Sequence, residues 1–246
     1  MNVKILSNKK INYFLIKIFA TNIMLFLLIY QGARVLWGED YMTFFKGALR
    51  NPFRVGAVSP CSVFVAYEII KYVAQNNQQA LRVLEVGGGS GALTRELEKV
   101  LTNKKVDYIL DVIEIDPEYS ALLQKRFAHN KNITIYCKNV LEFNPGYQYD
   151  YIISSLPFTT MDTELITQIL KYYEAMIISG GILSYVEHMW FPELQQKMLN
   201  GDEKQLFAKK RTVVNTFKDT YLMETVNVYR NITPLYVHHL QIKKDH

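Results

Sequence analysis

"VLEVGGGSGALTREL", residues 83–97, decides the fold. It opens as a β-rich run, passes through Gly87, Gly89 and Gly91, and goes on with helical spacing from Ala92. Glycine at alternate positions permits a tight turn with positive φ and lets a ligand lie against bare backbone. Glu85 stands two residues before the first of these glycines. A dinucleotide loop needs the spacing G-x-G-x-x-G and seats a pyrophosphate on the helix N-terminus. Here the spacing is G-x-G-x-G, and Glu85 would repel a pyrophosphate. The acid suits a ligand with a cationic or amine-bearing tail. A second acid, Glu114 in "DVIEID", falls at the end of the next strand, where a carboxylate holds ribose hydroxyls. The plain alternative for both is a solvated carboxylate at a strand end.

Outward from this loop the rhythm is regular. "LRVLEVGG", "VDYILDVIEID", "ITIYCKN", "DYIISSLP" and "GGILSYVEH" are short β-rich runs. Helical stretches separate them: "ALTRELEKVLT", "PEYSALLQKRFAHN" and "TELITQILKYYEAMI". Such alternation predicts an α/β fold with a mostly parallel sheet covered on both faces. "PELQQKMLNGDEKQLFAKKRTVVNTF" reads as helix with a break at Gly201. "METVNVYRNI" and "LYVHHLQI" then read as two strands turning at Asn231 and Pro234, an antiparallel pair for one sheet edge. On the N-terminal side, "SVFVAYEIIKYVAQ", residues 62–75, has the i, i+3, i+4 apolar pattern of one helix.

The first 38 residues differ. From Tyr13 to Tyr30 only Lys17, Thr21 and Asn22 interrupt an apolar run, about the length that spans a hydrocarbon core. Lysines precede it, Arg34 follows it, and Tyr13, Tyr30 and Trp37 fall where interfacial aromatics sit. Residues 1–38 are therefore expected to form a hydrophobic anchor helix that spans or lies in a membrane; a buried core helix and a cleaved signal are the alternatives. Residues 39–246 are expected to form the catalytic domain, with 39–78 as amphipathic helices and a lid on the substrate side. The formal charge of +5 and pI near 9.0 favour an anionic partner, nucleic acid or an acidic membrane surface. Cys61 and Cys137 make neither a disulfide framework nor a metal pattern.

Taken together, the glycine loop, Glu85 and Glu114 resemble the class I S-adenosylmethionine-dependent methyltransferases. The resemblance implies a Rossmann-like, seven-stranded, doubly wound sheet with S-adenosyl-L-methionine as cofactor. It places Gly87, Gly89 and Gly91 against the cofactor's amino-acid end and ribose, Glu85 near its methionine amine, and Glu114 on the ribose hydroxyls. Its next position, an acid that binds the adenine amine, is Asn139 in "YCKNVLEF". An amide oxygen accepts the same hydrogen bond without charge.

The resemblance narrows at three further places. "NPFRVGAVSPCS" is similar to a stretch of the bacterial phospholipid N-methyltransferases, which methylate phosphatidylethanolamine towards phosphatidylcholine. "SSLPF" resembles their proline loop and "NVYRNITPLYVHHL" their last hairpin. The related rRNA adenine dimethyltransferases carry Asn-Leu-Pro-Tyr at that loop, where Ser155 stands here, and add a helical RNA-binding domain after the sheet. The hairpin-like end of this sequence argues against such a domain, so nucleic acid is not the expected partner. The implied substrate is a membrane aminophospholipid; the alternatives are an RNA adenine methyltransferase, a methylase of another aminolipid such as an ornithine lipid, and a non-catalytic membrane protein that keeps the fold as a scaffold. Ser155 and the carbonyls of Leu156 and Pro157 would orient its amine. Tyr185, Glu187 and His188 would shape the amine pocket, with Glu187 or His188 taking the proton. Phe158 would face the cofactor or the substrate cation, and Arg54 the headgroup phosphate. The plain alternatives are backbone partners at a strand end for Glu187 and His188, core packing for Phe158, and a solvated surface for Arg54. A membrane-associated enzyme with a cytoplasmic catalytic domain is expected.

Overall fold

The computed structural model of the chain describes residues 61–231 and 233–244. The expected anchor helix, the amphipathic stretch after it and Arg54 lie outside the described residues. Among the described residues no helix is long and apolar enough to cross a membrane.

The elements run α1 (Val63–Ile69), α2 (Lys71–Gln75), β1 (Ala80–Val86), α3 (Ala92–Asn103), β2 (Asp107–Glu114), α4 (Pro117–Phe127) and β3 (Ile133–Cys137). A single 3-10 turn (Val140–Glu142) follows. Then come β4 (Tyr149–Ser154), α5 (Thr163–Met176), β5 (Ile177–His188), α6 (Phe191–Met198), α7 (Gly201–Tyr221), β6 (Leu222–Val228) and β7 (Leu235–Gln241). The strands form one seven-stranded sheet in the order β3-β2-β1-β4-β5-β7-β6. The first five are parallel, and β7 runs antiparallel between β5 and β6. The terminal pair is thus the expected hairpin, inserted with its second strand innermost.

Sequence chemistry explains the boundaries. Asp116 caps α4 by accepting from the Glu118 and Tyr119 amides, and Pro117 takes the first helical position, where its missing N–H is no loss. Asp162 caps α5 through the Leu165 amide. Two expectations need correction. Residues 62–75 are two helices, not one. Ile70 leaves helical geometry at φ −99°, ψ 5°, and the bend lets both Ile69 and Ile70 reach the core. The fifth strand begins at Ile177, three residues before the expected start. Its pairing with β4 slips between Tyr149 and Tyr151, and Gly180 at φ +85° lets the strand bulge there and resume.

Side chains fill both faces of the sheet. One face packs Val65, Val73, Leu97, Leu101, Leu123 and Phe127 from the first four helices. The other packs Ile166, Ile169 and Tyr173 of α5, with Val213 and Phe217 of α7 at its margin. Two polar clusters fix the elements. Asp111, 1% exposed in the middle of β2, accepts from the hydroxyls of Tyr147 and Tyr149, each at 2.6 Å. At the other edge, Lys71 lies between Glu68 and Glu224, Tyr72 donates to Glu224, and His239 pairs with Ser184 at 2.7 Å. Burial, with the Lys71 charge beside it, pushes the His239 pKa down to about 4, so its imidazole is neutral.

Candidate functional site

The C-terminal ends of β1, β2, β4 and β5 share one side of the sheet, where ligands bind in open α/β folds. Two neighbouring sets of groups lie there.

The first set surrounds the glycine loop. Gly87, Gly89 and Gly91 have φ of +87°, +51° and +83°. The loop is anchored by Gly87 and Gly88 amides donating to the Ile113 carbonyl. Only Gly89 has open space where a side chain would begin. A Cβ at Gly87 would meet Ser155 Oγ at 2.8 Å, and one at Gly91 would meet Leu123 at 2.7 Å. So Gly87 and Gly91 serve packing and turn geometry, while Gly89 presents bare backbone. Glu114 reaches back to this loop: Oε2 accepts from the Gly89 amide at 2.7 Å and Oε1 from the Asp116 amide at 2.8 Å. Burial pushes its pKa up, and those two amides pull against the rise.

Glu85 is different. It is fully buried at the end of β1, and among the described residues neither carboxyl oxygen has a hydrogen-bond partner. The Thr94 hydroxyl is near enough to temper its charge yet outside hydrogen-bond geometry, and is itself unpartnered. Burial, with the Glu114 charge adding, raises the Glu85 pKa to about 8. A buried acid without partners, beside a backbone surface with open space, fits a ligand that brings a cationic or donor group. Asn139 caps the 3-10 turn, its Oδ1 accepting from the Leu141 amide at 3.1 Å. Its second lone pair is left for a further donor.

The second set lines an open cleft of about 870 Å³, measured out to its mouth. Ser155, Leu156, Pro157, Phe158, Tyr185, Glu187 and His188 all line it, so the proline loop and the end of β5 meet as the sequence suggested. Their individual states differ from the expectation. The Ser155 hydroxyl donates to the Gly87 carbonyl at 2.6 Å, tying the proline loop to the glycine loop; its one proton is not directed at a substrate. Phe158 is buried, edge-on to the Tyr185 ring at 5.7 Å between centroids. Tyr185 is 2% exposed and its hydroxyl has no partner among the described residues. Burial alone would raise the Glu187 pKa, but His238 at 3.2 Å and the charges of Lys218 and Arg211 outweigh it and hold the carboxyl below its usual range. His188 is pushed the other way: burial lowers its pKa, against the pull of Glu187, and keeps the imidazole neutral near pH 7.

Three contributors are absent from the sequence reading. His238, on β7, reaches Glu187 only because β7 inserts beside β5. Lys210 and Arg211 of α7 also line the cleft. The spacing Phe207, Lys210, Arg211, Val214 is one helical face, and two cations within an otherwise apolar stripe are the signal that marks them.

The sequence profile of the family described as "Ribosomal RNA adenine dimethylase" matches residues 62–183. An ornithine lipid N-methyltransferase of Singulisphaera acidiphila is 22% identical over 158 residues, which are 61% of this chain and 79% of the relative. The ribosomal RNA small subunit methyltransferase A of Coxiella burnetii is 36% identical, but over 81 residues, 33% of this chain and 28% of the relative. Among solved structures, the N-methyltransferase NodS of Bradyrhizobium japonicum, in complex with S-adenosyl-L-homocysteine, superposes with a TM-score of 0.56 at 16% identity, over 84% of this chain and 100% of its own; that likeness is one of fold. The strand order, the glycine loop with its acids and these relatives converge: the chain is a class I S-adenosylmethionine-dependent methyltransferase related to the ribosomal RNA adenine dimethylases.

Proposed function

We propose that the chain transfers methyl groups from S-adenosylmethionine to the headgroup amine of a membrane aminolipid, such as phosphatidylethanolamine or an ornithine lipid. The observation that carries this is the state of the cleft. The proline loop carries no amide or carboxylate side chain to polarise a nucleobase amine: the polar side chain at its start, Ser155, gives its proton to the Gly87 carbonyl. Phe158 of the same loop and Tyr185 of β5 line the cleft together with an ionised Glu187. Aromatic faces and a carboxylate attract an alkyl ammonium. The ornithine lipid N-methyltransferase relative supports the same substrate class.

S-adenosylmethionine supplies an electrophilic methyl group when bound. Glu85, Gly89, Glu114 and Asn139 would hold it, with the cationic amine towards Glu85, the ribose on Glu114 and the adenine amine on Asn139. Attack requires a neutral amine, and an alkyl ammonium has a pKa of about 10. Glu187, held ionised, draws the ammonium in. His188, held neutral, takes the proton directly or through water. The Leu156 carbonyl, which among the described residues accepts only the Phe158 amide, would orient a remaining N–H group; the Pro157 carbonyl is taken up by the Thr160 amide and hydroxyl. The Tyr185 hydroxyl is the other buried group free to meet the amine. The hydrophobic residues 1–38 would hold the domain at the cytoplasmic face of a membrane. Arg54 would meet the headgroup phosphate.

The family profile favours a second reading, methylation of adenine in RNA. One experiment separates the two. Purified full chain is given labelled S-adenosylmethionine with phosphatidylethanolamine vesicles, ornithine lipid vesicles and total RNA in parallel. Label in either lipid is the expected result. Label in RNA alone overturns the aminolipid reading.

A further inference from the structure

The mechanism leaves one part of the cleft unused. Helix α7 turns Phe207, Lys210, Arg211, Val214 and Asn215 towards it, positions i, i+3, i+4, i+7 and i+8 of one face. Phe207 is 4% exposed, so this is the face the helix packs inward. An inward face with two cations is costly unless an anion meets them. The protein does not supply that anion to Lys210: among the described residues no carboxylate lies within ion-pair distance of its ammonium. Burial lowers the Lys210 pKa, and only the more distant Asp162 opposes the shift. Arg211 has one partner, Glu193, at 3.5 Å and more than half exposed. The cleft's own acid, Glu187, is already engaged by His238. The same helix carries Lys204 and Lys209 on its exposed side, so attraction to an acidic surface does not require cations on the inner face.

We infer that Lys210 and Arg211 form an anion-binding subsite on the α7 side of the cleft, which selects substrates carrying an oxyanion a few bonds from the reacting amine. This rests on the aminolipid reading and deepens it: the substrate is a zwitterion, its ammonium towards Glu187 and its phosphodiester or carboxylate on Lys210 and Arg211, in place of Arg54. A headgroup so clamped at both ends has its nitrogen fixed in position relative to the methyl donor, the chief service an enzyme renders to an in-line displacement.

The test measures methyl transfer by the full chain to three lipids in neutral carrier vesicles: phosphatidylethanolamine with a phosphodiester, ornithine lipid with a carboxylate, and a long-chain alkylamine with neither. Lys210→Gln and the double variant Lys210→Gln with Arg211→Gln are compared with Lys209→Gln. Expected is a rise in KM of about tenfold or more for the zwitterion, equivalent to losing one good contact, with little change in kcat. Cofactor affinity stays as in the wild type, Lys210→Gln alone uses the alkylamine as the wild type does, and Lys209→Gln is unchanged. Which zwitterion suffers shows which oxyanion the subsite takes. An equal loss on the alkylamine, an equal loss in Lys209→Gln, or an unchanged KM overturns the subsite. Calorimetric binding of soluble glycerophosphoethanolamine and of inorganic phosphate gives a separate readout. If no lipid is methylated, the aminolipid reading falls, yet binding lost on Lys210→Gln still supports the anion subsite. Absent or unaltered binding overturns it.

Discussion

Asp111 and Glu85 sit on neighbouring strands, one row apart, and point to opposite faces of the sheet; Leu84 pairs with Asp111 and Glu85 with Val112. Both are at most 1% exposed. Asp111 accepts two tyrosine hydroxyls. Glu85 accepts nothing from the described residues. The middle of β2 is complete as it folds. The end of β1 is complete only when something else arrives. Burial alone therefore does not mark a functional carboxylate; burial without partners does.

The largest effect that can break this comparison is on stability. Asp111→Ala leaves the hydroxyls of Tyr147 and Tyr149 without their acceptor. At about 1–3 kcal/mol for each buried group left unsatisfied, the variant loses about 3 kcal/mol or more of unfolding free energy in a urea titration of the cofactor-free protein. Glu85→Gln removes no hydrogen bond among the described residues and is expected to match or exceed the wild type in the same titration. Equal destabilisation by both would erase the distinction.

The next effect is on the cofactor. Glu85→Gln is expected to weaken binding of S-adenosylmethionine by about tenfold or more, the loss of one charge-assisted contact. The proton balance gives a sharper reading. With a folded pKa of about 8 against an ordinary 4.5, the cofactor-free native state holds a proton that the unfolded chain releases between those values. Glu85 thus makes stability fall as pH rises from about 4.5 to 8. A cofactor ammonium beside the carboxyl reverses the shift and expels that proton. Calorimetry near pH 7 in two buffers of different ionisation enthalpy should show proton release of up to one, absent in Glu85→Gln. Binding without release in the wild type would place the ammonium elsewhere.

A smaller effect sharpens the role of the loop. Gly89→Ala adds a methyl into open space at φ +51°. The left-handed backbone costs about 1–2 kcal/mol in stability. The methyl also stands where the cofactor would meet bare backbone, so S-adenosylmethionine binding should weaken, but by less than in Glu85→Gln. An unchanged dissociation constant would show that the cofactor does not pass Gly89.

Much of the cofactor end was legible because its determinants are local. Glu85, the glycines and Ala92 lie within one strand–loop–helix, and Glu114 closes the next strand, where a parallel sheet must put it beside the loop. The proline loop and the end of β5 were legible for the same reason, since consecutive parallel strands finish on one side. What escaped notice depends on tertiary placement. His238 meets Glu187 only through the inverted order of the terminal hairpin. Lys210 and Arg211 face the cleft because α7 packs with Phe207 inward. Residue type alone misled at Ser155: its hydroxyl serves Gly87, a partner 68 residues away that no local pattern reveals. The partners of Asp111 were hidden likewise, two tyrosines 36 and 38 residues beyond it.

Asn139 is intermediate between the two carboxylates of the comparison in how far it is satisfied, with one lone pair on the Leu141 amide and one for a donor. The resemblance expects an acid here. Asn139→Asp keeps the cap, because aspartate caps a turn as well as asparagine does. It also turns a neutral acceptor into a charged one, and charge-assisted hydrogen bonds are about twice as strong as neutral ones. The substitution should therefore tighten S-adenosylmethionine binding by about threefold, the smallest of these effects, with stability within about 0.5 kcal/mol of wild type. Weaker binding would mean that the amide's N–H group, not its oxygen, faces the cofactor. The adenine would then present an acceptor at Asn139, and its exocyclic amine would have to find its partner on the backbone around the 3-10 turn.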